Sequence, residues 1–144
     1  MVDDAKGSSI LAAPPIFGPA DTSMILLDTH ALVWLSAGHK RARPLQGRGR
    51  LFASPASVLE IQFLIDAGRL RLRAKSLDAL ADDPRWSIDD PAAAAWFRNA
   101  CDIGWTRDPF DRLLVAHARL RSWRLATADD HLLHGLASSE QFAL

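Results

Sequence analysis

The chain is poor in the residues that indicate a secreted, disulfide-bonded or membrane protein. Cys101 is the single cysteine among 144 residues, which excludes an internal disulfide and a cysteine-based zinc site and is compatible with a reducing cytoplasm. No apolar run approaches the length of a membrane-spanning helix. The chain opens on Met1-Val2-Asp3-Asp4, which is acidic where a signal peptide would be basic. We therefore expect a cytoplasmic protein that does not enter the membrane.

The sequence also lacks an excess of charge of either sign. Lys plus Arg number 17 and Asp plus Glu number 17, so no overall field attracts the protein to nucleic acid. Its basic residues nevertheless form two local runs that are free of acids, Lys40, Arg41, Arg43, Arg48 and Arg50 in the first and Arg69, Arg71, Arg73 and Lys75 in the second. Each run is either a solvated surface or a local site for a polyanion.

The length and composition favour one folded domain after a leader. With 144 residues, of which 49% are hydrophobic and 24% charged, the chain has the size of a single globular domain. Residues 1–23 are rich in Gly, Ser, Ala and Pro with little periodicity, which is typical of a flexible leader. The domain is therefore expected to span residues 24–144.

Strand and helix patterns alternate along residues 24–144. The apolar run before Asp28 is typical of a parallel strand that is buried on both faces, and a helical pattern follows it up to Gly38. Further strands are predicted at 51–54, 86–88, 123–127 and 141–144, and further helices within 40–50 and at 55–67, 76–82, 91–100, 109–121 and 130–136. This alternation predicts an α/β domain with a mainly parallel central sheet and helices on both faces.

The segment Asp108-Pro109-Phe110-Asp111 places two acids at the start of a helix. Asp108 is predicted as the N-cap and Pro109 as the first helical residue. The positions three, four and seven residues after Asp111 are apolar, so its carboxylate heads a stripe that faces the interior. Asp111 is explained either by helix capping and the helix dipole or by a functional role, and both explanations stay open.

Glutamate is scarce, because the chain contains only two. Glu60 lies within the apolar sequence Val-Leu-Glu-Ile-Gln-Phe-Leu-Ile. A charged Glu on that helix face would cost on the order of several kcal/mol of desolvation unless a cation or hydrogen bonds compensated for it. A salt bridge to an arginine is one explanation, and a functional acid is the other.

These acids are predicted to meet at one edge of the sheet. Asp28 and Asp129 each follow a strand, while Glu60 and Asp111 lie near helix starts, and in open α/β sheets sites form beyond the carboxyl ends of the strands. Unpaired carboxylates would repel one another there, so a divalent cation is the natural balancing charge. Oxygen ligands suit Mg²⁺ or Mn²⁺ better than zinc.

Three motifs in order carry a family resemblance: Leu-Leu-Asp-Thr-His-Ala-Leu-Val-Trp-Leu at 26–35, Arg-Asp-Pro-Phe-Asp-Arg-Leu-Leu at 107–114 and Leu-Ala-Thr-Ala-Asp at 125–129. With them the sequence resembles PIN-domain ribonucleases over about residues 24–134, and most closely the VapC-like toxins of bacterial toxin-antitoxin pairs. The resemblance implies a PIN-like three-layer fold. It also implies a catalytic and metal-binding site made of Asp28, Glu60, Asp111 and Asp129, with Asp130 as an alternative for the last position.

The resemblance further implies an endoribonuclease that uses Mg²⁺ or Mn²⁺, inhibits translation, pairs with a cognate antitoxin and forms a homodimer. Thr29 and Thr127 are candidates to orient the carboxylates through their hydroxyl groups, unless they only cap adjacent helices. The candidates for contact with the RNA substrate are Arg69, Arg71, Arg73 and Arg112. The alternative function is a non-catalytic PIN-like domain that binds protein.

The sequence departs from the family pattern around the acids but not at them. Leu59 stands where a Trp is usual, a common Lys soon after Glu60 is absent, and Trp105-Thr106 replaces a frequent His. These changes concern substrate contacts more than the chemistry. His30 and His117 are expected to be packed, hydrogen-bonded residues rather than bases, and Trp34 and Trp96 are expected to serve the core.

Overall fold

In the described part of the chain, five strands and the helices between them form three layers. The computed structural model describes residues 21–72 and 76–144. The strands are β1 (Met24–Leu27), β2 (Arg50–Ala53), β3 (Ser87–Ile88), β4 (Arg124–Thr127) and β5 (Gln141–Ala143). The helices are α1 (Thr29–Ala37), α2 (Pro55–Asp66), α3 (Leu77–Ala81), α4 (Ala93–Cys101), α5 (Pro109–Arg121) and α6 (Asp130–Gly135), with 3₁₀ helices at Lys40–Leu45 and Ser138–Glu140.

The strands pair in the order β3-β2-β1-β4-β5. Every pairing is parallel, so the mainly parallel sheet that the sequence predicts is parallel throughout the described residues. Leu26 is level with Phe52 of β2, and Leu27 is level with Ala126 of β4. The carboxyl ends of these three central strands therefore lie at one edge, which we call the carboxyl edge.

The side chains of β1 alternate between two cores, as the strand geometry requires. Leu26 packs in a core with residues of α4, α5 and α6, whereas Ile25 and Leu27 pack on the opposite face with residues of α1, the 3₁₀ helix and α3. All three side chains have no exposed surface. The continuous apolar run before Asp28 is explained by this burial on both faces, and the predicted α/β fold with helices on both faces is confirmed.

Side chains cap the helices that start at the carboxyl edge. Oδ1 of Asp28 accepts a hydrogen bond from the amide of Ala31 at 2.7 Å, and Oδ1 of Asp108 accepts one from the amide of Phe110 at 2.8 Å. The predicted N-cap at Asp108 is thus confirmed. Asp129 caps α6 through Oδ1, and Ser54 caps α2. The edge of the sheet where the acids lie is therefore tied to four helix starts.

The last residue of the predicted leader contacts the sheet. Residues 1–20 of the predicted leader lie outside the described part of the chain, but the carbonyl of Ser23 accepts a hydrogen bond from the amide of Arg50 at 2.8 Å. Ser23 thus extends the pairing of β1 with β2. Among the described helices, none has the length and apolar character needed to span a membrane.

We expect a chain that starts at Asp21 to fold with the stability of the full chain. A chain that starts at Met24 should lose about 1 kcal/mol, because the amide of Arg50 loses its acceptor. Urea unfolding of the full chain and of the two shortened chains measures the difference. A large loss of stability in the chain starting at Asp21 would show that residues 1–20 pack on the domain.

Candidate functional site

Asp28 follows β1 directly and is almost fully buried, with 4% of its surface exposed. The amide of Ala31 donates a hydrogen bond to its Oδ1, and the side chain of Thr127 is close enough to lower the pKa of the carboxyl group. Burial nevertheless dominates and raises the pKa of Asp28 above its ordinary value. A nearby cation would therefore strongly stabilise the negatively charged form of this carboxylate.

Glu60 lies in α2 and is half-buried. The hydroxyl of Thr29 donates a hydrogen bond of 2.5 Å to its Oε1, and the hydroxyl of Ser57 lies 3.0 Å from that of Thr29. Burial raises the pKa of Glu60, and the carboxylate of Asp108 raises it further. No ion pair between described residues involves Glu60, so none of these residues balances its charge.

Asp111 lies in the first turn of α5, and Asp108 rather than Asp111 caps this helix. Burial raises the pKa of Asp111 to about 7, with further contributions from the carboxylates of Asp108, Asp129, Glu60 and Asp28. The predicted inward stripe that Asp111 heads is confirmed, because the residues three, four and seven positions later are buried. The acid is therefore surrounded by negative charge that capping does not require.

Asp129 joins the group from the end of β4. Its amide donates a hydrogen bond to the hydroxyl of Thr127 at 3.0 Å, and its carboxylate raises the pKa of both Asp28 and Asp111. Asp130 lies in the first turn of α6, and both it and Asp129 are exposed. The structure thus favours Asp129 over Asp130 as the fourth acid of the group.

The four predicted acids therefore lie together at the carboxyl edge, and the structure adds Asp108 to them. Sequence reasoning assigned Asp108 to capping alone, although its spacing of three residues from Asp111 puts both acids on one side of the helix start. In the described chain, no three His, Cys, Asp or Glu side chains converge tightly enough to hold an ion as they stand. The acids thus form an open group at this edge rather than a closed cage, and we refer to the group as the acidic cleft.

The residues of this acidic cleft (Asp28, Glu60, Asp108, Asp111 and Asp129) fit a divalent metal ion. They offer only oxygen ligands, which Mg²⁺ and Mn²⁺ prefer. Their mutual repulsion, seen in the raised pKa of Asp111, is the unfavourable interaction that a bound cation removes. Thr29 and Thr127 contact Glu60 and Asp28 respectively, which is the placement expected of hydroxyls that orient carboxylates.

We expect Asp111→Asn to stabilise the metal-free protein above pH 7. The folded-state pKa of Asp111, about 7, lies above its unfolded value, so the wild-type protein loses stability as pH rises from about 4 to 7. Because the group is partly exposed, we expect a gain of about 1 to 2 kcal/mol for the variant. Urea unfolding in chelator at pH 5 and pH 8 measures it. An equal difference between variant and wild type at both pH values would contradict the assignment.

The arginines proposed for substrate contact have different surroundings. Arg112 is half-buried, and its Nε donates a hydrogen bond to the carbonyl of Thr106 at 2.7 Å. Arg69 and Arg71 are exposed beyond the end of α2, and Arg73 lies outside the described residues. The other basic run ends at Arg50, the first residue of β2, so its end lies at the amino edge of the sheet. That run as a whole does not border the acidic cleft, because a parallel strand begins at the opposite edge.

The two histidines have opposite environments. His117 is fully buried, with Nδ1 at 2.9 Å from Oγ of Ser54 and Nε2 at 2.7 Å from Asp89. Asp89 in turn accepts a hydrogen bond from Arg121 at 2.8 Å. The expectation of a packed His117 is confirmed. Ser54 is also fully buried, so a substrate cannot reach this Ser-His-Asp arrangement. The same expectation is wrong for His30, which is exposed and whose charge lowers the pKa of Asp28 and Glu60.

Large apolar side chains are exposed beside the acids, which the sequence did not indicate. Leu59 and Phe63 of α2 are 53% and 54% exposed. The ring of Phe63 meets that of Phe110, with the ring centroids 5.5 Å apart. Glu60 and Asp111 are neighbours of these residues in sequence, so an apolar surface adjoins the acidic cleft. Exposed apolar surface of this kind is typical of a place where another molecule binds.

Comparison with known proteins gives consistent results. A family model described as PIN domain matches residues 25–135. Ribonuclease VapC22 of Mycobacterium tuberculosis is 30% identical over 116 residues, which cover 75% of this chain and 88% of that protein. VapBC2 from Rickettsia felis, solved bound to a DNA fragment from their promoter, has a TM-score of 0.61 at 15% identity over 84% of this chain and 98% of that chain. A toxin-antitoxin complex from Klebsiella pneumoniae has a TM-score of 0.58 at 15% identity, covering 82% of this chain and 99% of that chain.

Proposed function

The chain belongs to the PIN domain family, and from this membership we propose that it is a Mg²⁺- or Mn²⁺-dependent endoribonuclease and the toxin of a toxin-antitoxin pair. The relative from Mycobacterium tuberculosis is named a ribonuclease, and this similarity supports RNA as the substrate. The observation that carries the metal dependence is the pKa of Asp111, which burial and four neighbouring carboxylates raise to about 7. A site with this much uncompensated negative charge gains most from a divalent cation.

In the proposed reaction the residues of the acidic cleft have distinct tasks. The carboxylates of Asp28, Glu60, Asp111 and Asp129 would hold the metal, which supplies a water of lowered pKa and stabilises charge on the scissile phosphate. The hydroxyl of Thr29 holds Glu60 in place through its hydrogen bond, and Thr127 favours the charged form of Asp28 by lowering its pKa. Toxicity would follow from cleavage of RNA that translation needs.

The direct test is cleavage of a mixed RNA substrate by the purified full chain. We expect cleavage with Mg²⁺ or Mn²⁺, loss of cleavage in chelator, and recovery when metal is returned. Isothermal titration with Mn²⁺ is run in parallel. Metal binding without any turnover would favour the alternative function, a PIN-like domain that acts only through protein binding. Cleavage that persists after chelation and dialysis would contradict the metal dependence.

We further propose a cognate antitoxin as partner. The similar structures from Klebsiella pneumoniae and Rickettsia felis are a toxin-antitoxin complex and a VapBC2 assembly, and on this chain the exposed Leu59 and Phe63 lie beside the acidic cleft. Apolar anchors next to carboxylates fit a protein segment that carries apolar side chains and an arginine. A small neighbouring gene for a DNA-binding protein would identify the candidate.

We expect Phe63→Ser to weaken binding of that antitoxin by on the order of tenfold or more, since an aromatic anchor in an interface is commonly worth over 1 kcal/mol. Phe97→Ser is the matched control, because Phe97 of α4 is equally exposed at 54%. Calorimetry with the purified antitoxin measures both. Equal weakening by the two variants would show that α2 is not the binding face. A homodimer is proposed from the family alone, and light scattering on the free chain tests it.

A further inference from the structure

One side of α1 is partly exposed. Thr29, Ala31, Leu32 and Leu35 are buried, whereas His30 is exposed and Val33, Trp34 and Ala37 are half-buried. The second group is spaced by three and four residues, which is the spacing of one helix face. Trp34 packs against the core, as expected, and is also partly exposed on this outer face.

Aromatic rings form a row along this outer face. The ring centroids of His30 and Trp34 are 6.1 Å apart, and those of Trp34 and His39 are 5.8 Å apart with the planes stacked at 26°. The guanidinium carbon of Arg41 lies 4.7 Å from the centroid of the Trp34 ring. Lys40 and Arg43 are exposed on the same 3₁₀ helix as Arg41. Rings and cations are therefore interleaved on one surface.

This row starts at the acidic cleft. His30 is two residues after Asp28, in the first turn of α1. From there α1, nine residues long, leads away from the carboxyl edge for about 14 Å at the usual rise per residue. The cations of the 3₁₀ helix stand at its far end. The surface is thus continuous from the carboxylates to the basic residues.

We propose that single-stranded RNA binds along the α1 strip, defined as His30, Trp34, His39, Lys40, Arg41 and Arg43, and enters the acidic cleft at His30. This proposal rests on the proposed ribonuclease function. Unpaired bases stack on aromatic rings whatever their identity, and the interleaved cations bind the phosphates. Because the net charge of the chain is zero, its phosphate affinity must come from such a local group.

The described part of the other basic run offers a weaker surface for this ligand. Arg71 lines a hollow of about 600 Å³ whose other described lining residues include Ile65, Leu70 and Leu72. These aliphatic side chains do not provide the flat rings on which bases stack. Arg69 and Arg71 can contact phosphates, but they lack the combination of rings and cations that the α1 strip shows.

The test is fluorescence anisotropy with labelled oligoadenylate and oligouridylate, measured on the full chain in chelator so that binding is separated from cleavage. We expect Trp34→Leu to weaken oligoadenylate binding by on the order of tenfold, and Trp34→Phe to retain most of the affinity. Replacing Lys40, Arg41 and Arg43 by Gln should reduce the slope of log affinity against log salt by about 0.7 for each phosphate that the variant no longer neutralises. Phe97→Leu and Arg98→Gln on α4 are the matched controls for ring and charge.

The outcomes separate this proposal from the proposed function. One outcome is that the wild-type chain cleaves RNA with metal while Trp34→Leu and the triple Gln variant bind RNA like wild type. That result would contradict RNA binding along the α1 strip and would support the nuclease function. If replacing Arg69, Arg71 and Arg73 by Gln reduces the slope of log affinity against log salt instead, RNA binds along that second run and not along the α1 strip. If RNA binding depends on the α1 strip but no metal supports cleavage, the binding proposal is supported and the nuclease function is contradicted. A Trp34→Leu chain that fails to fold leaves Trp34→Phe and the triple variant to decide.

Discussion

Asp28→Asn and Asp111→Asn are each expected to reduce metal-dependent RNA cleavage by roughly a thousandfold or more. A bound metal contributes several kcal/mol to stabilisation of charge in the transition state, and each 1.4 kcal/mol is a factor of about ten in rate. Asn keeps the size and one oxygen of the side chain but removes the negative charge that holds the cation. Gel-based cleavage of a defined RNA under single-turnover conditions measures the loss.

The fold should survive both substitutions. Asn retains a side-chain oxygen for the cap that Oδ1 of Asp28 forms with the amide of Ala31, and Asp111 is not the cap of α5. Asp130→Asn is the matched control, because Asp130 is an exposed acid adjacent to Asp129 and this variant should cleave like wild type. If either Asp28→Asn or Asp111→Asn cleaves at the wild-type rate, that acid is structural and its assignment to the metal site is wrong.

His117→Ala is expected to lower the free energy of unfolding by about 3 kcal/mol. The substitution opens a cavity between Trp96 and Trp123, whose rings lie 5.3 Å and 6.1 Å from the His117 ring. It also removes one partner of Ser54 and one partner of Asp89, and weakened hydrogen bonding of buried polar groups is costly. Urea unfolding at pH 7.5 followed by tryptophan fluorescence measures the change.

Two further measurements separate this network from a general packing effect. Burial lowers the pKa of His117, so the wild-type protein should lose stability as pH falls below about 6.5, where the unfolded chain takes up the proton that the folded chain resists. His117→Ala should lack that part of the pH dependence. His134→Ala, at an exposed position of α6, should change stability by less than about 0.5 kcal/mol. If His134→Ala lowers the free energy of unfolding as much as His117→Ala, the buried network does not account for the effect of His117→Ala.

Local patterns in the sequence were sufficient for the elements and for most of the acidic cleft. The apolar run before Asp28 predicts a strand buried on both faces because period and burial are local properties. The Asp108-Pro109 pair predicts a helix start because capping involves adjacent residues. From these two features the topology of a parallel sheet brings Asp28 and Asp111 to the same edge without any knowledge of contacts.

Properties that depend on distant partners were not accessible in this way. Ser54, His117 and Asp89 meet from three separate segments, and no local spacing reports that contact. The first basic run could not be assigned to an edge until β2 was known to begin at Arg50. The prediction for His30 was wrong for a different reason. An apolar stripe does not show whether a given position lies at its buried centre or on its solvent-exposed side.

The short outer strands of the sheet have a consequence for how this protein meets other chains. β3 has two residues and β5 has three, and both lie at the ends of the strand order. Edge strands this short present too few unpaired backbone N–H and C=O groups for another strand to pair with. The sheet therefore resists edge-to-edge aggregation. A partner that recognises the protein by extending its sheet would find little to pair with. Recognition is thereby directed to the helical surfaces, where side chains rather than backbone amides decide which molecule binds.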